Sequence, residues 1–173
     1  MNKIKQYIWE KKIDAAKDSR DFRVLAKKLS ESKKIGVVFQ EGGSYDSKTL
    51  ESLSDKLRKQ GANVKFIGIQ NAEQTNIACP YPLVSLRDFS TFGKLKSFEL
   101  QEFLDTYFDF VFCLSDLDGL IETYILSNCK ATYRVGMHQE GTEDYLDLMV
   151  GQAPAEKYKE SLEQMLWLAE AIN

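Results

Sequence analysis

FDFVFCL (residues 108–114), SDLDGLIETYILSNCK (115–130) and ATYRVG (131–136) follow one another without a gap, and this stretch decides the fold. The first run is almost wholly apolar and aromatic, the pattern of a strand buried on both faces rather than one alternating between core and water. Ser115 and Asp118 have the spacing of a capping pair at a helix start. Leu117, Leu120, Ile121, Tyr124 and Ile125 then recur at helical intervals. ATYRVG is a second short strand. A buried strand, a helix and another strand form a crossover unit, which joins parallel neighbours in a sheet covered on both sides.

Working outward, the same alternation repeats. KKIGVVF (33–39) predicts an earlier buried strand, and Gln40–Asp46 a polar turn. A helix over 47–60 follows, with Leu50, Leu53 and Leu57 on one stripe and Gly61 placed to end it in a left-handed conformation. ANVKFIGI (62–69) is a strand; Pro80 and Pro82 interrupt the next region, where PLVSL is a candidate third strand. A helix over 98–107 leads into FDFVFCL, and YLDLMV (145–150) predicts a final strand. Only about nine polar residues separate that strand from ATYRVG, short for a helical crossover, so an antiparallel or displaced last strand is expected. Tyr158, Leu162, Met165, Leu166, Ala169 and Ile172 mark a closing helix. The expected class is therefore α/β: a three-layer, Rossmann-like, doubly wound and mostly parallel sheet over residues 31–173, with a helical extension over 1–30.

That extension is basic. Residues 1–34 hold eleven Lys/Arg against five Asp/Glu, whereas the remainder holds twelve against twenty-one. The signs alternate along the extension instead of forming a block, which favours packing on an acidic body or a second subunit over a nucleic-acid contact. Residues 3–17 would carry apolar groups on two helical faces, one of them Trp9, Ile13 and Ala16. Two faces need two covers, so Trp9 and Ile13 are the candidate partner interface of a homo-oligomer.

Other classes are disfavoured. No apolar run approaches the roughly 20 residues that span a bilayer. MNKIKQYIWEKKID lacks the apolar segment of a secretory signal. Cys79, Cys113 and Cys129 are odd in number and without C-x-x-C spacing, so they read as reduced thiols of a cytoplasmic protein. His138 is the single histidine, which removes a His-rich metal centre. The acids Glu140, Glu143, Asp144 and Asp147 lack the spacing of a calcium loop and read as a solvated surface. No metal or cofactor is expected.

Ligands of doubly wound sheets gather at the carboxyl ends of the strands. Three loops are expected to meet there: Gln40–Asp46, Ser115–Asp116 and Arg134–His138. In the first, GGSYDSKT (42–49) approaches the phosphate-loop pattern, with Lys48 and Thr49 in the places of the phosphate-binding lysine and the magnesium-binding hydroxyl. Ser47 replaces the glycine that wraps the phosphates, and Glu41 and Asp46 put negative charge beside an anion site. The plainer reading is a glycine turn followed by a helix cap. Ser44 or Ser115 with His138 and Asp116 is a conceivable nucleophilic set, but no G-x-S-x-G elbow is present. The ligand candidates are Gly42, Gly43, Ser44, Lys48, Ser115, Asp116, Arg134 and His138, directed at a small anionic ligand; no catalytic residue is assigned.

STFGKLKS (90–97), FDFVFCLSD, ATYRVG and YLDLM (145–149), together with Lys34-Ile35-Gly36-Val37, resemble a family of uncharacterised proteins from Bacteroidetes. FDFVFCLSDLDGLIETYILSNCKATYRVG (108–136) is also similar to a strand–helix–strand unit in the first domain of heptosyltransferase-type glycosyltransferases. Those enzymes hold the nucleotide sugar with a second domain, for which this chain has no room, so that resemblance implies the fold rather than the reaction. The expectation is an intracellular, non-catalytic ligand-binding or interaction module. The alternative is a small enzyme acting on a phosphorylated or nucleotide-sugar substrate at the carboxyl edge.

Overall fold

The computed structural model describes residues 10–15, 27–70, 79–90, 94–115, 119–151 and 158–172. Among these residues six strands form one sheet: β1 (Lys34–Gln40), β2 (Asn63–Ile69), β3 (Leu83–Val84), β4 (Tyr107–Leu114), β5 (Lys130–Met137) and β6 (Leu148–Val150). Helix α1 is described over residues 10–15. It is followed by α2 (Ser47–Lys59), α3 (Phe98–Asp105), α4 (Leu120–Asn128) and α5 (Tyr158–Glu170). The strand order is β3-β2-β1-β4-β5-β6, and every pairing is parallel.

The alternation of each strand divides the core between two faces. Ile35, Val37 and Phe39 of β1 join Phe110, Phe112 and Leu114 of β4 against α2 and α5. Val38, Val111 and Cys113 point the other way, against α3 and α4, and Ile13 of the N-terminal segment belongs to this second cluster. Side chains such as Phe110 and Phe112, both fully enclosed, each stabilise the fold by roughly 1.5–3 kcal/mol through removal from water. Glycine permits close packing in the sheet: a Cβ on Gly68 would stand 2.6 Å from the Phe39 ring and 2.5 Å from Leu83.

One expectation is overturned. β6 is parallel to β5, not antiparallel or displaced. Residues 138–147 suffice for the return because β6 pairs only with Val135–Met137, the last three residues of β5. The chain retraces about 10 Å, not the length of a full strand. It does so through a 3-10 turn at Thr142–Asp144 and buries Leu146 among the residues beneath α4. The strand expected over 145–150 is thereby shortened to Leu148–Val150.

The start of α4 also differs. Its N-cap is Gly119, with no side-chain cap, while Ser115 interacts with Cys113 at the strand end. By contrast α2 ends as its sequence predicts, with Gly61 at φ 86° and its N–H donating to the Arg58 carbonyl at 2.9 Å. Among the described residues no helix is long and apolar enough to cross a membrane.

Candidate functional site

Strand order reverses direction between β1 and β4, since successive crossovers run outward from this pair to either margin. Chains leaving the carboxyl ends of two such strands diverge to opposite faces and leave a crevice between them. Phe39 is in register with Leu114, so Gln40 and Ser115 leave the sheet at the same level. Phe112 is in register with Val135, which brings His138 to that level one strand further out, about 10 Å from β1.

On the β1 side the turn opens with Glu41, whose N–H still donates to Ile69 O of β2 at 2.9 Å. Glu41 therefore falls next in the inward alternation of Ile35, Val37 and Phe39. It is 4% exposed, and neither carboxylate oxygen has a hydrogen-bond partner among the described residues. Gly42 takes φ 67°, in the left-handed region, and Gly43 N–H donates to Gln40 O at 3.1 Å. Gly42, Gly43 and Ser44 are exposed. Tyr45 turns inward and meets Tyr158 edge-to-face, ring centroids 5.5 Å apart, which ties the turn to α5.

Asp46 caps α2, accepting hydrogen bonds from Thr49 N at 2.8 Å and Thr49 Oγ1 at 2.6 Å. Those bonds hold its carboxyl below the usual range. The hydroxyl expected in a magnesium-binding position is thus directed to Asp46, and the helix N-terminus that would receive phosphate carries its own carboxylate. Lys48 lines a groove of about 280 Å³ between α2 and α5 with Asp46, Lys56, Lys159 and Glu163. Lys56 is paired there with Glu163 at 3.1 Å.

On the β4 side, Ser115 is 7% exposed, its Oγ 3.4 Å from Cys113 Sγ. Burial pushes the Cys113 thiol up to about 11, which leaves it protonated and a poor nucleophile. Glu122, in the first turn of α4, is buried and adds to the upward push on Cys113. A Cβ on Gly119 would run into the Glu122 carboxylate, so that side chain folds back over the N-cap of its own helix. Asp116 lies outside the described residues.

Arg134 stands inside β5, opposite Val111, and not in a loop. It is 6% exposed and its guanidinium is committed: Nε donates to Leu126 O at 2.8 Å and an Nη to Cys129 O at 2.8 Å. The other Nη donates to Asp147 at 3.2 Å. A cation on the last carbonyls of α4 offsets the negative end of that helix. His138 is exposed, its Nε2 3.0 Å from a Glu143 oxygen. Ile13 is 4% exposed and packed within its own chain; Trp9 lies outside the described residues.

By register, Gln40, two residues before the Gly42–Ser44 turn, and Ser115 leave the sheet at one level, with His138 at its margin. Lys48 belongs to the neighbouring groove and Arg134 to the α4–β5 joint. Sequence reasoning took Glu41 only as a charge unfavourable to phosphate. Its parity with Ile35, Val37 and Phe39 was the signal that it faces inward. Asp109 was likewise hidden inside the apolar run of β4. One of its oxygens accepts from Lys33 N at 2.7 Å and Lys34 N at 3.1 Å, and the other from Lys27 Nζ at 2.9 Å. Together they fix the start of β1.

These features define an α/β protein of the doubly wound type, in which strand order reverses between β1 and β4. The chain belongs to a family of unknown function, DUF6913, which it matches over residues 5–167. No curated protein matches it.

Proposed function

We propose that this protein is a non-catalytic binding module that takes a small molecule at the carboxyl edge of its sheet, between the Gly42–Ser44 turn and Ser115. The observation that carries this reading is the coincidence of an exposed glycine turn, Gly42 at φ 67°, with the β1/β4 reversal of strand order. Crevices of this kind hold the ligand in open parallel sheets generally. A non-catalytic role fits the chemistry at hand: the Cys113 thiol stays protonated, and the sole histidine is an exposed partner of Glu143.

The enzymatic alternative, with a phosphorylated or nucleotide substrate, finds less support, because Asp46 occupies the α2 N-terminus and Arg134 is bound to backbone carbonyls. Assembly through Trp9 and Ile13 is not part of this reading, since Ile13 is buried in its own chain.

Amide hydrogen exchange of the full chain tests the site. A panel of small metabolites should include one that slows exchange at Gly42–Ser44 and Ser115 saturably, and Gly43→Val should abolish that protection. Protection confined to the α2–α5 groove would reject the placement.

A further inference from the structure

We infer that the ligand of this crevice is a compact organic cation presenting a protonated amine to Glu41, a reading that rests on the binding site proposed above. Glu41 is 4% exposed, and both its oxygens are shut from solvent without a hydrogen-bond partner among the described residues. A carboxylate so placed lacks the donors it needs among the described residues. Buried polar groups in native proteins are paired, and a group that is not calls for an absent partner.

The surroundings give that partner its charge. Parallel sheets commonly bind phosphate because helix N-termini at the crevice offer free N–H groups. Here the α2 N-terminus is capped by Asp46, and the first turn of α4 carries the buried Glu122 folded over Gly119. Both positive helix ends are thus met by carboxylates of the chain itself. The carboxylate left over is Glu41. A ligand supplying N–H donors and positive charge completes it, whereas an anion would add repulsion. Glu41 adjoins the exposed Gly42–Ser44 turn, which the Gly43–Gln40 hydrogen bond closes.

Thermal unfolding of the full chain, wild type against Glu41→Gln and Glu41→Leu, provides the test. The probes at fixed ionic strength are putrescine and methylamine, inorganic phosphate and AMP, and magnesium chloride alone. Putrescine should raise the wild-type Tm saturably, and Glu41→Gln should weaken its apparent affinity about tenfold or more. Glu41→Leu should abolish the response and, by removing an unpaired buried group, unfold at a higher temperature than unliganded wild type.

Variants that are both less stable and still respond to putrescine would make Glu41 a structural residue and overturn the inference. A Glu41-dependent response to magnesium alone would replace the amine by a metal ion and overturn it equally. Protection of Gly42–Ser44 by phosphate or AMP, without an amine response, would leave the binding site standing and reject its cationic ligand. Silence to every probe would remove both.

Discussion

Asp109 lies in the most apolar strand of the protein, yet its carboxylate accepts three hydrogen bonds, from Lys27 Nζ and from the N–H groups of Lys33 and Lys34. Desolvation alone would raise its pKa; the bonds from Lys27, Lys33 and Lys34 outweigh it and hold the carboxyl below the ordinary value. A carboxyl depressed in the folded state lends stability above its unfolded pKa of about 3.9, and loses it as pH falls through the folded value. Asp109→Asn should therefore cost about 2 kcal/mol at neutral pH in urea unfolding. The deficit should shrink as the pH is taken below about 4, where the wild-type carboxyl protonates too. Arg134→Ala should cost about 3 kcal/mol by the same measurement, since it strips the α4 carbonyls and Asp147 of donors in a buried setting. Ligand-induced protection at Gly42–Ser44 should survive that change. At this scale the sequence was least legible. Arg134 looks like a ligand-binding arginine because a charge near a strand end invites that reading. Nothing local announces that the carbonyls of Leu126 and Cys129 will be folded against it.

Among the elements, legibility followed the length of the apolar run. FDFVFCL and KKIGVVF hold enough consecutive hydrophobes that only a strand covered on both faces can bury them, and both are central in the sheet. Direction was harder to read for β6, because a rule about crossover length presumes strands that pair along their whole extent. Three paired residues do not require one. The start of α4 was misread because Ser115 and Asp118 have capping spacing, while the cap falls on Gly119. A packing prediction belongs here. Gly68→Val should destabilise the protein by about 1–3 kcal/mol, seen as a lower Tm, because its side chain must enter the space held by the Phe39 ring and Leu83. The change falls on β2 outside the crevice turn, so amide protection by a ligand should persist.

For the molecule as a whole, the layered plan was readable from the order of elements, since a helix between buried strands must lie on one face or the other. The disposition of the N-terminal segment was not. Two apolar faces on one helix suggested a second subunit, and the structure buries Ile13 with Phe103, Phe108 and Tyr124 in the cluster beneath α3 and α4. Ile13→Ala should therefore lower stability by about 2–4 kcal/mol without changing the sedimentation coefficient of the folded protein. A change in sedimentation with stability intact would restore the intersubunit role.

The short outer strands carry a last consequence, for behaviour at high concentration. β3 contributes two residues and β6 three, too few for another chain to add a strand at either margin. Among the described residues, the margins they leave uncovered are Asn63–Ile67 of β2 and Lys130–Tyr133 of β5. Each carries a lysine: Lys65, tied to Glu102 at 2.7 Å, and Lys130, 3.4 Å from Asp105. Charged groups of this kind discourage edge-to-edge pairing. A Lys65→Val, Lys130→Val double variant should keep its fold by circular dichroism yet turn turbid on concentration, where the parent protein stays clear. The lysines at its margins would then be what keeps a parallel sheet from growing past its own chain.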